Sequence, residues 1–476
     1  MSVPPPPLPG GFEAAERAPE PERGAAKTDD APAHVENPPE PQRLLIATGR
    51  EVSIHERPSF RSKKLGYLRA GARVRRAASP ETHEGCKNGW YRIMPEGFVC
   101  TESSATIDPG HPIARLVDVA PDRSAGLPYR YGRSRYPTPP FYARFPSELE
   151  QQTTEIELRG HLRARTARAW ESVPSDPTPE LLLQSGSLPT PHGYFRPPNQ
   201  AVLGRAMPDS GFALLSVYEH DGRRYALSTD FELLPLDRLN PVEPSSFHGL
   251  ALGGELTLPV VFVRSRAAHL YAGDPKRGLS PVQKLGYRQV VPVSGKQIVL
   301  GGIKYHETKS GAYLRDENVV RVDPLQNRPG WAAGKRTWVH VSILRQTLVA
   351  YEGETPVYVT LVSTGLDGLG DPANSYSTIR GQFLVHTKHV TTTMDSDAED
   401  DQFDLRDVPY VQYFNEGYAL HAAYWHDAFG QPYSHGCVNL SPLDARWLFH
   451  WTDPPVPRGW HGALSLRGGT LVHITP

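Results

Sequence analysis

Residues 408–449 read VPYVQYFNEGYALHAAYWHDAFGQPYSHGCVNLSPLDARWLF. The pattern is strand, loop, strand and then a helix from about Pro442 to His450. Just before that helix stands Ser434-His435-Gly436-Cys437-Val438-Asn439, with His421 upstream. A free thiol with the ordinary pKa of ~8.5 is a poor nucleophile, and the usual remedies are a paired histidine or a helix N-terminus. Cys437 has a candidate for each. Gly436 lets backbone approach a substrate closely, and the amides around Cys437 are placed to meet a developing oxyanion. His421 ends an apolar strand (Tyr418, Leu420) that would hold an imidazole rigidly, and Asn439 adds a neutral donor and acceptor two residues past the sulfur.

Upstream, WVHVSILRQTLVAYEGETPVYVTLVSTG (338–365) predicts two or three strands with a turn at Glu352-Gly353. TIRGQFLVHTKHVTTTM (378–394) predicts another strand pair. Asp395 to Asp404 follows as an acidic loop over or beside a cleft. A Cys–His pair alone says little in a chain with 19 histidines. The composite string says more.

That string resembles the L,D-transpeptidase catalytic domain, the YkuD family of peptidoglycan cross-linking enzymes, over about residues 335–476. The upstream histidine is His421, the loop is Ala422 to Tyr433, and the signature is Ser434 to Asn439. The family's Ser-Thr-Gly…Thr-Pro-x-Gly-x-Phe stretch is matched by Ser363 to Gly365 and Thr378 to Phe383, with Ile379 where proline is usual. The resemblance implies a β-sandwich with short helices and no metal or organic cofactor. It implies that Cys437 is the nucleophile, that His421 takes its proton and that His435 orients or polarises the thiolate surroundings. The amides of Gly436 and Cys437 would form the oxyanion site. Ser434, Asn439, Glu416 and Gly417 would contact substrate, with Tyr410 on the lid side. His426 does not match the motif and reads as solvated. His386 and His389 read as strand residues without partners at metal-ligand spacing. The implied partners are peptidoglycan stem peptides, a donor tetrapeptide and an acceptor stem, joined 3→3 through a cysteine thioester. Water as acceptor would make the same site a carboxypeptidase, and a protein lysine would make it an anchoring transferase.

The rest of the chain suits a mainly β, multidomain protein. Residues 1–42 hold eleven prolines and almost no large apolar side chains, so they read as a disordered linker. Residues 43–107 carry Leu65-Gly-Tyr-Leu, Gly71, Gly89-Trp-Tyr-Arg-Ile and Gly97-Phe-Val, and resemble bacterial SH3-like domains, with a hairpin tip at Pro95–Gly97. Residues 108–257 are a mixed domain or insertion with a helical pattern from Ser147 to Glu171 and a hairpin around Asp221-Gly222. Residues 258–326 are a candidate second SH3-like domain, closed by a boundary at Asn327 to Gly330.

The chain has 476 residues, with 51 Lys plus Arg against 52 Asp plus Glu. That balance argues against a protein that coats nucleic acid, and no apolar run of ~18 residues would span a membrane. No signal peptide is visible, so an envelope protein would have to take its export or lipid-anchor signal from outside this chain. By count alone, Cys86 and Cys100 are either bridged or, with Cys437, three free thiols. The resemblance places the site in the periplasm or cell envelope, which favours the Cys86–Cys100 disulfide and leaves Cys437 as the working thiol. Two other classes compete. A wall-binding scaffold with an inactive catalytic domain would be free to lose motif residues, all of which are present. A cysteine amidopeptidase of another fold would have its cysteine on a long N-terminal helix with histidine downstream, the reverse of the order here.

Overall fold

The computed structural model describes residues 43–117, 119–163, 170–184, 186–326, 329–334, 336–396, 403–465 and 468–476. The Pro-rich segment 1–42, Asn327 and Arg328 of the expected boundary, and residues 397–402 of the acidic insertion lie outside these ranges. The molecule is mainly β.

The C-terminal part is built from β1 (Thr337–Ser342), β2 (Thr347–Glu352), β3 (Thr355–Leu361), β4 (Gly381–Leu384), β5 (Thr387–Ser396), β6 (Phe403–Asn415), β7 (Tyr418–Ala422), β8 (Val438–Leu440), helix α1 (Pro442–Trp451), β9 (Gly462–Leu464) and β10 (Leu471–Thr475). One sheet has the order Leu250–Ala251, β3, β2, β1, β10, β4, with β1 and β10 parallel. Its strands are apolar on both faces, and the period of two explains why. Val339, Val341, Leu348 and Ala350 face Tyr410, Phe414, Leu420 and Val438 of the second sheet, whereas Trp338, Val349, Tyr351 and Val359 face outward to Val260, Phe262 and Val322.

In the second sheet β6 pairs with both β5 and β7, antiparallel, and β7 pairs with β8, parallel. This sheet does not stop at the sandwich. The edge strand β9 pairs with Lys64–Leu68, and β6 pairs with Gly211–His220. Gly66 makes the first junction possible, because a Cβ there would lie 2.2 Å from the Gly462 carbonyl oxygen. Gly211 makes the second, since its Cβ would fall within the Tyr424 hydroxyl.

Between Leu44 and Thr106, seven short strands form a rolled path. A three-stranded sheet is joined by a bridge between Arg76 and Ile93 to four strands of the long sheet. The path is not a closed ring; its outer strand, Lys64–Leu68, pairs with β9 instead. Cys86 and Cys100 form a disulfide beside the buried Trp90. In the next region the hairpin at Asp221-Gly222 forms with both residues at positive φ. The helical pattern from Ser147 resolves into two short helices, Glu148–Thr154 and Leu158–Arg163, rather than one. The break occurs where the Glu155 carboxylate is drawn inward to Arg223 and Arg238, which bind it at 2.6–2.9 Å. Residues 260–322 form a seven-stranded antiparallel sheet.

Candidate active site

The parallel pairing of β7 with β8 sets the geometry. Its register matches Leu420 with Val438, His421 with Asn439 and Ala422 with Leu440. Paired residues share a face of a sheet and residues two apart share it again, so Cys437, Asn439 and His421 gather on one side. The Ala419 amide reaches the Cys437 sulfur, and the thiol faces the Gly417 carbonyl oxygen at 3.5 Å.

His421 is buried, at 2% exposure. Its Nδ1 lies 3.1 Å from the Ala422 carbonyl oxygen. A carbonyl only accepts, so Nδ1 carries the hydrogen and Nε2 keeps a lone pair. Burial pulls the imidazole down to about 4 and pushes the half-buried thiol up to about 11. Both shifts favour the neutral forms at neutral pH, a thiol and an imidazole with its lone pair on Nε2.

The loop before β8 has a rigid frame. Ser434 Oγ donates to the Cys437 carbonyl oxygen and accepts from the Gly436 amide. The Gly436 amide, expected to face an oxyanion, is thus engaged inside the loop. Gly436 sits at φ +122, and a Cβ would lie 2.9 Å from the Tyr418 ring. Residues Ser363 to Gly365 line up beside the motif: Ser363 and Asn439 exchange backbone hydrogen bonds at 2.8–2.9 Å, and Gly365 bridges Ser434. Thr378 Oγ1 accepts from the Gly365 amide, which ties the second half of that upstream stretch to the first.

The helix does not activate the thiol. α1 begins at Pro442, beyond β8, and its N-terminus is capped locally by the Ser441 hydroxyl, which accepts from the Asp444 amide. His435 is exposed, and its ring stacks on Phe403 at 5.3 Å with Tyr376 on another side at 4.7 Å. Glu416 and Gly417 form the exposed turn between β6 and β7, with Glu416 at φ +39. Tyr410, expected on the lid side, is fully buried and donates to the Ala125 carbonyl oxygen. His426 is not solvated as its sequence position implied; its ring is tilted against Tyr433 at 4.1 Å and its Nε2 lies 2.9 Å from the Asn439 amide. His389 lies in β5 and meets the Tyr67 hydroxyl at 2.8 Å.

Residues 336–474 match the family model described as the L,D-transpeptidase catalytic domain, YkuD. This segment is a YkuD domain. The Bacillus subtilis protein YciB, provisionally named an L,D-transpeptidase, is 26% identical over 141 residues, 24% of this chain and 60% of its own length. An L,D-transpeptidase structure from Stackebrandtia nassauensis is 28% identical with a TM-score of 0.22, covering 30% of this chain and 57% of that one. The catalytic domain from E. faecium L,D-transpeptidase is 21% identical with a TM-score of 0.23, covering 30% and 98%. The chain thus spans only about 60% of the length of the first relatives it matches.

L,D-transpeptidases act on peptidoglycan peptides, and the family is associated with the cell wall. Among the described residues of this chain, no helix is long and apolar enough to cross a membrane. Three further groups at the YkuD site escaped motif reading. Tyr413 and Tyr418 flank Cys437 closely enough for its charge to raise their own pKa values, after the larger effect of burial. Tyr131, from the region before the catalytic domain, belongs to the apolar cluster that receives the thiol. No local signal marks it, because it precedes Cys437 by some 300 residues. Among the described residues, the one grouping with metal-ligand proximity is Cys86, Cys100 and Glu102, and its two sulfurs are spent in the disulfide.

Proposed function

We propose that the YkuD domain forms 3→3 peptidoglycan cross-links through a thioester on Cys437. The observation that carries this is the β7–β8 register, which gathers His421 and Cys437 on one face while Ala422 holds His421 with Nε2 unprotonated. As a donor tetrapeptide enters, His421 Nε2 takes the thiol proton and the sulfur attacks the carbonyl carbon of the third stem residue. The C–N bond to D-alanine breaks, the amine leaves with the proton held by His421, and a thioester remains. The side-chain amine of an acceptor stem then attacks, gives its excess proton to His421, and the C–S bond breaks to restore the thiol. Neutral resting groups suit this sequence, because desolvation disfavours a standing thiolate–imidazolium pair and the proton moves only when substrate compensates it. Action on wall peptides would place the protein in the periplasm or cell envelope, where the Cys86–Cys100 disulfide is also at home.

Intact-mass spectrometry with meropenem tests the first half-reaction. A single covalent adduct on wild type and none on Cys437→Ala is expected. A well-folded wild type that takes no adduct would remove the reading. Incubation with disaccharide-tetrapeptide then separates the acceptors: a 3→3 dimer supports cross-linking, and only tripeptide would make the domain a carboxypeptidase.

A further inference from the structure

His426 lies outside the motif, yet its hydrogen bonds dictate how Asn439 is presented. Its Nδ1 stands 3.1 Å from the Ala428 amide, which can only donate, so Nδ1 is the lone-pair nitrogen. A neutral imidazole then carries its hydrogen on Nε2, and Nε2 lies 2.9 Å from the Asn439 side-chain amide. Two donors cannot face each other. The group that Asn439 turns to His426 must be its oxygen, since amide oxygen and nitrogen are assigned by their hydrogen-bond partners. The amide terminus pointing away from His426 is therefore NH2. That terminus is fully buried and has no hydrogen-bond partner, on a residue with 2% exposure that shares its strand face with Cys437 and His421. A buried donor without a partner is costly until something pairs with it.

We propose that His426 is a positioning residue: its Nε2–H holds the Asn439 oxygen, so that the Asn439 NH2 is offered to an acceptor oxygen of the donor stem, a carbonyl or carboxylate. The loop that carries His426 is itself held from outside the YkuD domain. The next residue, Asp427, accepts from Arg288 at 2.7 Å and from Ser245 at 2.6 Å, and the Arg288 guanidinium lies over the Phe429 ring. His426 also packs between Phe429 and Tyr433. The orientation of Asn439 is thus supported by residues on both sides of the domain boundary.

The inference rests on the acyl-transfer reading, and two measurements keep their failures apart. Long-range proton–nitrogen NMR of 15N-histidine-labelled protein at neutral pH reads tautomers without substrate, with signals assigned from His426→Gln and His421→Gln. Opposite neutral tautomers are expected, Nε2–H for His426 and Nδ1–H for His421. An Nδ1–H or doubly protonated His426 would overturn the proposal whatever the activity. Rates of meropenem acylation then test the consequence. His426→Phe keeps the ring packing but no N–H, and should acylate at least about tenfold more slowly. His426→Gln can accept from Ala428 and donate to Asn439, and should recover most of the rate. Asn439→Asp keeps an oxygen for His426 but has no donor, and should be as slow as His426→Phe. Wild-type rates in His426→Phe or Asn439→Asp, or a glutamine variant no better than phenylalanine, would refute it. A wild type that is not acylated would instead sink the underlying enzyme reading, leaving the tautomer result standing.

Discussion

At the level of single residues, the site is a dry one. Burial holds the Cys437 thiol near 11 and the His421 imidazole near 4, so the reactive thiolate is scarce at neutral pH until substrate arrives. Alkylation of the free enzyme by iodoacetamide should therefore climb steadily from pH 7 to pH 10. A plateau reached by pH 7 would mean a standing ion pair and would contradict this. Gly436 is the other sharp case. Its φ of +122 and the 2.9 Å approach of Tyr418 leave no room for a side chain. Gly436→Ala should cut meropenem acylation about a hundredfold or more while the far-UV circular dichroism is unchanged. Retained acylation would show that the loop tolerates rearrangement.

Among the elements, α1 is the pillar under the catalytic loop, and both its ends are tied down. At its start, Asp444 accepts from the Gly249 amide, the Tyr358 hydroxyl and Thr360, and burial pushes its carboxyl up. At its end, the buried Lys388 of β5 donates to the carbonyl oxygens of Phe449 and Thr452 at 2.5 and 2.7 Å, which a helix C-terminus would otherwise leave unmet. Lys388→Met fits the apolar stem but abandons those carbonyls. It should cost about 2–3 kcal/mol in urea unfolding. A loss below ~0.5 kcal/mol would show that water replaces the lysine nitrogen.

On the scale of the whole molecule, three parts of the chain meet at one carboxylate. Asp407, fully buried in β6, accepts from Arg69, Thr229 and Thr391, and Arg69 and Arg406 both reach Asp230. The Arg69 guanidinium, the largest influence after burial, and hydrogen bonds hold the Asp407 carboxyl below its ordinary range. Arg69→Ala would strand a buried charge, and about 3–5 kcal/mol of stability should go with it, read by thermal unfolding of the full chain. Additive, near-zero effects of Arg69→Ala and Asp407→Asn would show that the parts do not depend on the junction.

Acid acts on the whole molecule too. His340, His389, His421 and His426 are held neutral, near 4 against an ordinary 6.5. The unfolded chain therefore binds more protons between those values, and stability falls as pH drops from about 6.5 to about 4. Glu232, pushed up to about 7 by burial, and Asp404 and Asp444, also raised by burial, act in the opposite sense but are fewer than the histidines held down. The urea midpoint should be clearly lower at pH 4.5 than at pH 7. Equal midpoints would mean that these imidazoles are protonated in the folded state.

The local pattern of the chain was enough to mark the strand pairs around Glu352-Gly353 and Asp221-Gly222, the turns themselves and helix α1. Each depends on neighbours within a few residues, where side-chain period, turn chemistry and capping act. Three features were decided only by tertiary structure. The helical pattern after Ser147 broke because Glu155 finds Arg223 and Arg238, some 70–80 residues away. The Asp444 carboxylate, in the first turn of α1, turned to the Gly249 amide, nearly 200 residues away, and to Tyr358 and Thr360. His426 became a partner of Asn439 because parallel pairing and the packing of Arg288 on Asp427 bring the loop down onto β8. Burial and hydrogen-bond direction are properties of the packed chain, and they, more than residue identity, decide what a histidine or an amide at this site can do.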